Sequence, residues 1–72
     1  MGLLDILAER MNCTYLSDLR YLKRPNAALQ RALADLPPTD FSEFEWIDAA
    51  EYLCGVNCIN AEEARAKLLE QA

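Results

Sequence analysis

Histidine is absent from this 72-residue sequence, which contains only two glycines and three prolines. Without histidine, the chain lacks the side chain whose ordinary pKa best suits proton transfer near neutral pH. It also holds no glycine-rich phosphate-binding loop, and no nucleophile and base are spaced for covalent catalysis. We therefore expect a protein that is not an enzyme, that uses no cofactor and that has no small-molecule substrate.

Long hydrophobic runs and β-branched residues are also scarce. No stretch approaches the 18 apolar residues that a membrane-spanning helix requires. The first ten residues carry Asp5 and no basic segment followed by an apolar one, so we expect no secretory signal and a cytoplasmic location. A composition rich in Leu and Ala favours helices over strands. The expected fold is all-α, a compact single-domain bundle of four to five short helices spanning residues 1–72.

The clearest helical pattern lies between Pro25 and Pro37. Four apolar residues recur there at the i, i+3, i+4 and i+7 positions of one helix face: Leu29, Ala32, Leu33 and Leu36. Pro25 is expected to be the first residue of this helix, and Pro37 with Pro38 to end it. A shorter helix should precede Pro25, capped by Thr14 or Ser17, with its leucines facing inward (Leu16, Leu19 and Leu22).

Helix boundaries are marked most strongly around residues 41–55. Ser42 and Glu45 have the spacing of a capping box, and Phe41 is placed to pack on Trp46 as a hydrophobic staple. Gly55 is expected to end this helix in the left-handed conformation. An aromatic residue as large as Trp46 should anchor so small a core.

Two further boundaries are predicted outside that segment. Asn12 can adopt the left-handed conformation at the end of a first helix. Asn60 and Glu63 have the spacing of a second capping box, which would begin the last helix.

The three cysteines, Cys13, Cys54 and Cys58, do not form a recognisable metal or redox motif. Cys54 and Cys58 are separated by three residues, whereas zinc loops and dithiol redox motifs mostly use two. A tetrahedral site would need a fourth ligand, and there is no histidine to supply it. We expect free thiols that act as small apolar residues and no bound metal.

Charge is divided unevenly along the chain, with a net +2 in residues 1–31 and −7 in residues 32–72. The basic residues cluster near two tyrosines, and an acidic series follows at helical spacing. The candidate partner-binding residues are Arg20, Lys23, Arg24 and Arg31 on the basic side, and Glu45, Asp48 and Glu51 on the acidic side. Such faces predict a protein–protein interaction module or a small homo-oligomer.

The alternative is a nucleic-acid-associated regulator. Residues 48–69, "DAAEYLCGVNCINAEEARAKLL", read as a helix, a glycine-containing turn and a second helix, an outline that resembles a helix-turn-helix. The second helix, however, opens with Glu62 and Glu63, which would repel phosphates. We therefore place protein binding first and nucleic-acid binding second.

Overall fold

The computed structural model describes residues 2–72, which form four α-helices and two 3₁₀-helices. The α-helices are α1 (Leu3–Arg10), α2 (Ala27–Asp35), α3 (Glu43–Cys54) and α4 (Ala61–Gln71). The 3₁₀-helices are η1 (Leu16–Tyr21) and η2 (Pro38–Asp40). Residues 2–72 contain no strand and occupy about 28 × 23 × 19 Å, so the predicted all-α bundle is confirmed.

The core is built where α3 and α4 pack on each other and on the inner faces of α1 and α2. Its largest member is Trp46, which is 0% exposed, as predicted. The indole Nε1 of Trp46 donates a hydrogen bond to the Pro38 carbonyl at 3.1 Å. Phe41 meets the indole edge-on with 5.9 Å between ring centroids, so the predicted staple is present. The four stripe residues of α2 are all buried as well: Leu29, Ala32, Leu33 and Leu36.

The strongest boundary predictions are confirmed. Ser42 and Glu45 form the reciprocal capping box, with the Glu45 backbone N–H donating to Ser42 Oγ at 3.2 Å. Gly55 ends α3 with φ of 69°, and Asn12 follows α1 with φ of 56°. Gly and Asn are the residues that enter this left-handed region at the lowest cost.

Two other boundaries differ from expectation. Neither Thr14 nor Ser17 caps η1, because the N-cap position is Tyr15, whose backbone N–H donates to the Asp18 carboxylate at 3.1 Å. Pro25 is not the first residue of α2. The helix begins at Ala27, and the Asn26 side chain accepts from the Leu29 N–H at 3.1 Å. Asn is among the strongest N-cap residues, and this places Pro25 before the cap.

Two smaller expectations hold only in part. Asn60 caps α4 by accepting from the Glu63 N–H at 2.7 Å, but Glu63 does not return the bond that a capping box requires. In η1, Leu19 is buried and Leu22 is half-buried, whereas Leu16 is 38% exposed. Leu16 differs because it lies in a surface hollow beside Leu3 and Leu4 rather than in the core.

Candidate interaction surface

Arg24 is half-buried and reaches the end of α3 rather than open solvent. Its Nη1 donates to the Leu53 carbonyl at 2.8 Å. Leu53 belongs to the last turn of α3, where carbonyls lack partners within the helix and the helix dipole favours a cation. Of the four basic candidates, Arg24 is thus the one engaged in holding the fold.

Arg24 also shapes the surroundings of Cys54. Burial raises the pKa of the Cys54 thiol, while the nearby Arg24 guanidinium works in the opposite direction and Cys58 adds to the increase. A thiol whose pKa is raised is a weak nucleophile near neutral pH. Cys13, Cys54 and Cys58 are half-buried with free thiols, and no group of three metal-ligating side chains occurs in residues 2–72.

Arg20 lies beside two of the acidic candidates. A hollow of about 260 Å³ is lined by Arg20, Asp48, Glu51 and Tyr52. The Arg20 guanidinium carbon is 5.3 Å from the centroid of the Tyr52 ring, a cation–π arrangement. In residues 2–72, no carboxylate oxygen lies within 4.0 Å of an Arg20 nitrogen. The fold therefore brings one basic candidate, Arg20, beside the acidic candidates Asp48 and Glu51 without forming an ion pair between them.

A second hollow, of about 190 Å³, adjoins the first because Asp48 lines both. Leu16 and Glu45 contribute to it from η1 and from the first turn of α3. The Glu45 carboxylate already has a partner within the chain, since its Oε2 accepts the Ser42 N–H at 3.3 Å. Of the acidic candidates, Asp48 and Glu51 are therefore the more exposed and Glu45 the more structural.

Lys23 and Arg31 are exposed, and neither lines these hollows. Arg31 lies on α2, which makes few contacts with α3. The seven candidate residues thus do not form one site: the structure brings together Arg20, Asp48 and Glu51, with Glu45 at the adjoining hollow.

Phe44 belongs to this surface and was missed as a surface residue. It is 75% exposed on α3, whereas phenylalanine is a residue type that is most often buried. The signal was present in the spacing, because Phe44, Asp48 and Glu51 follow one another at i, i+4 and i+7 on a single helix face. We name the surface formed by Leu16, Arg20, Phe44, Asp48, Glu51 and Tyr52 the η1–α3 face.

Two exposed tyrosines also lie at the two ends of η1. Tyr21 is 81% exposed and Tyr15 is 69% exposed, on either side of the buried Leu19. Tyr, Trp and Arg are the side chains that most often dominate binding at protein interfaces. The neighbourhood of the η1–α3 face is therefore rich in residues suited to contact with another macromolecule.

The α3–α4 pair keeps the helix, turn and helix order of the predicted helix-turn-helix outline, with residues 55–60 as the connector. Its second helix carries Glu62 and Glu63 in the first turn, the part that would enter the major groove, where two carboxylates would be repelled by the phosphates. Comparisons of the chain with protein families, with curated proteins and with solved structures find no match. Within residues 2–72, no helix is both long enough and apolar enough to cross a membrane.

Proposed function

We propose that this protein is a protein-binding module that acts through the η1–α3 face. The observation that carries the proposal is the exposure of Phe44 on the same helix face as Asp48 and Glu51, two carboxylates that line a hollow with Arg20 without forming an ion pair with it. An exposed large apolar side chain on a surface that also carries charged side chains resembles the usual organisation of an interface, an apolar anchor with a polar rim.

Charge on the η1–α3 face supports a protein partner more than a nucleic acid. Asp48 and Glu51 outnumber Arg20 there, and the whole chain has a net charge of −5. Nucleic-acid affinity depends mainly on cationic side chains that neutralise phosphates. Of the four basic candidates, Arg24 donates to the Leu53 carbonyl, and only Lys23 and Arg31 are exposed away from acidic neighbours that line the hollows.

The test is site-specific photo-crosslinking in the source cells. A photoreactive phenylalanine analogue replaces Phe44 in one variant and Ala28, exposed on α2, in the control. We expect discrete protein adducts from position 44 and none from position 28. Equal adducts at both positions, or none at position 44, would contradict the proposal.

A charge reversal then tests the rim of the same surface. Asp48→Lys with Glu51→Lys should abolish the adducts at position 44, with little change in folding stability because exposed charges contribute little. Lys23→Glu is the matched control, since Lys23 is exposed outside the η1–α3 face. Copurified nucleic acid that is lost in the Lys23→Glu variant would support the nucleic-acid alternative instead.

A further inference from the structure

The surface around the η1–α3 face carries more negative than positive charge. Asp48 and Glu51 are exposed there beside a single cation, Arg20. The adjoining hollow adds the carboxylates of Asp5 and Glu45, and none of the described residues that line it is cationic. Within residues 2–72, the two hollows are therefore lined by four carboxylates and one guanidinium.

The cationic side chains of the fold do not neutralise these carboxylates. Arg24 and Arg65 donate to backbone carbonyls in the last turns of α3 and α2. The ion pair within 4.0 Å in residues 2–72 joins Lys67 to Glu70, both on α4. A surface that keeps an excess of one charge attracts molecules of the opposite charge and repels those of the same charge.

Apolar side chains lie beside these charges. Leu16, which is 38% exposed, and the half-buried Leu4 line the hollow that contains Asp48. Phe44 is 75% exposed one turn before Asp48 on α3. Buried apolar contacts give an interface much of its affinity, whereas the charges around them select among partners. The surface therefore suits a partner that brings cations and apolar side chains together.

We propose that the partner of the η1–α3 face is a basic, amphipathic protein segment, which presents lysine or arginine side chains next to apolar ones. This inference rests on the proposed function, because it names the chemistry of the partner for the same surface. A cationic side chain of the segment lies between Asp48 and Glu51, where an arginine can form paired hydrogen bonds with a carboxylate. An apolar side chain lies against Leu16 in the adjoining hollow.

The test is a selection from random peptides displayed on phage, with the purified protein as the immobilised target. We expect the selected peptides to be enriched in lysine, arginine and apolar residues relative to the unselected library. Asp48→Asn with Glu51→Gln should weaken the binding of these peptides by about tenfold or more, because the carboxylates that pair with their cations are removed. Phe44→Ala should weaken the same peptides through the loss of apolar contact.

A control with the same change in net charge separates this surface from the acidity of the whole chain. Asp35→Asn with Glu62→Gln also removes two exposed carboxylates, on α2 and α4, and should leave binding unchanged. Circular dichroism should show that every variant remains helical, since exposed charges contribute little to stability. Enrichment of acidic peptides, no enrichment, or an equal loss of binding in the two double variants would overturn the basic partner.

The crosslinking experiment at position 44 tests the proposed function separately. Protein adducts at position 44 together with no enrichment of basic peptides would leave the η1–α3 face as an interface and overturn only the chemistry assigned to its partner.

Discussion

Helix α3 and the segment from Met11 to Asn26 both carry large apolar side chains, yet they fold differently. Four residues of α3 are buried, namely Trp46, Ala49, Ala50 and Leu53, and both of its ends are closed by local signals. Residues 11–26 contain one buried residue, Leu19, and form only the 3₁₀-helix η1. The difference shows that apolar content alone does not produce a helix of the core: capping and a continuous buried stripe must coincide.

The largest effect should come from removing the anchor of α3. Trp46→Ala should lower the free energy of unfolding by about 3–5 kcal/mol, because it leaves a cavity and removes the hydrogen-bond donor to Pro38. Urea denaturation followed by circular dichroism measures the change. Phe44→Ala, on the same helix but exposed, is the matched control and should stay within about 0.5 kcal/mol of the parent. A similar decrease in the free energy of unfolding for Trp46→Ala and Phe44→Ala would show that the inner and outer faces of α3 are wrongly assigned.

Leu19 tests whether η1 depends on a single contact with the core. Leu19→Ala should cost about 2–4 kcal/mol, since Leu19 is the one buried side chain of that segment. Hydrogen exchange should show faster exchange in residues 15–21 than in α3, because a segment held by one side chain opens locally. Leu16→Ala, at a half-exposed position, should change both measurements much less. Uniform loss of protection across the chain would instead place η1 in the same cooperative unit as α3.

Ser42 and Ser17 test the difference between α3 and residues 11–26 by the removal of one hydroxyl group from each. Ser42→Ala should cost about 1 kcal/mol, because the Glu45 N–H loses its acceptor. Ser17→Ala should be neutral within about 0.5 kcal/mol, since Ser17 lies inside η1, is exposed and makes no side-chain hydrogen bond in residues 2–72, the N-cap position being Tyr15. Thermal melts of the two variants measure the difference. Equal losses would mean that Ser17 has a stabilising role that the structure does not show.

The smallest effect concerns the Cys54 thiol at the end of α3. Arg24→Met should raise its pKa further, because the cation that partly offsets burial is removed. Alkylation by iodoacetamide, followed by mass spectrometry across a pH series, should show the Cys54 midpoint moving to higher pH, whereas Lys23→Met should not shift it. A midpoint that moves to lower pH would contradict this account.

The raised pKa of the Cys54 thiol also makes the stability of the fold depend on pH, in a direction that can be predicted. A thiol with a raised pKa in the folded state stabilises the fold fully below the pKa of the unfolded thiol. That contribution is lost as pH rises through the folded pKa. Alkaline unfolding of the Cys54→Ala variant, compared with the parent, measures it: the parent should lose more stability as the pH increases.

The sequence by itself determined those features whose cause lies within one helical turn. The capping box of Ser42 and Glu45 and the left-handed Asn12 and Gly55 each depend on residues no more than a few positions apart. Such signals act on the chain before any tertiary contact forms, so reading them requires no knowledge of the fold.

Only the tertiary structure decided where the arginines lie. Arg24 meets Leu53 across 29 residues, Arg65 meets Ala34 across 31, and Arg20 joins Asp48 in a hollow between η1 and α3. A cationic side chain on a short helix has several possible acceptors, and its choice depends on which carbonyls or carboxylates the folded chain places beside it. For the same reason, Arg20 from the basic half of the sequence lies beside Asp48 and Glu51 from the acidic half, whereas Lys23, Arg24 and Arg31 do not.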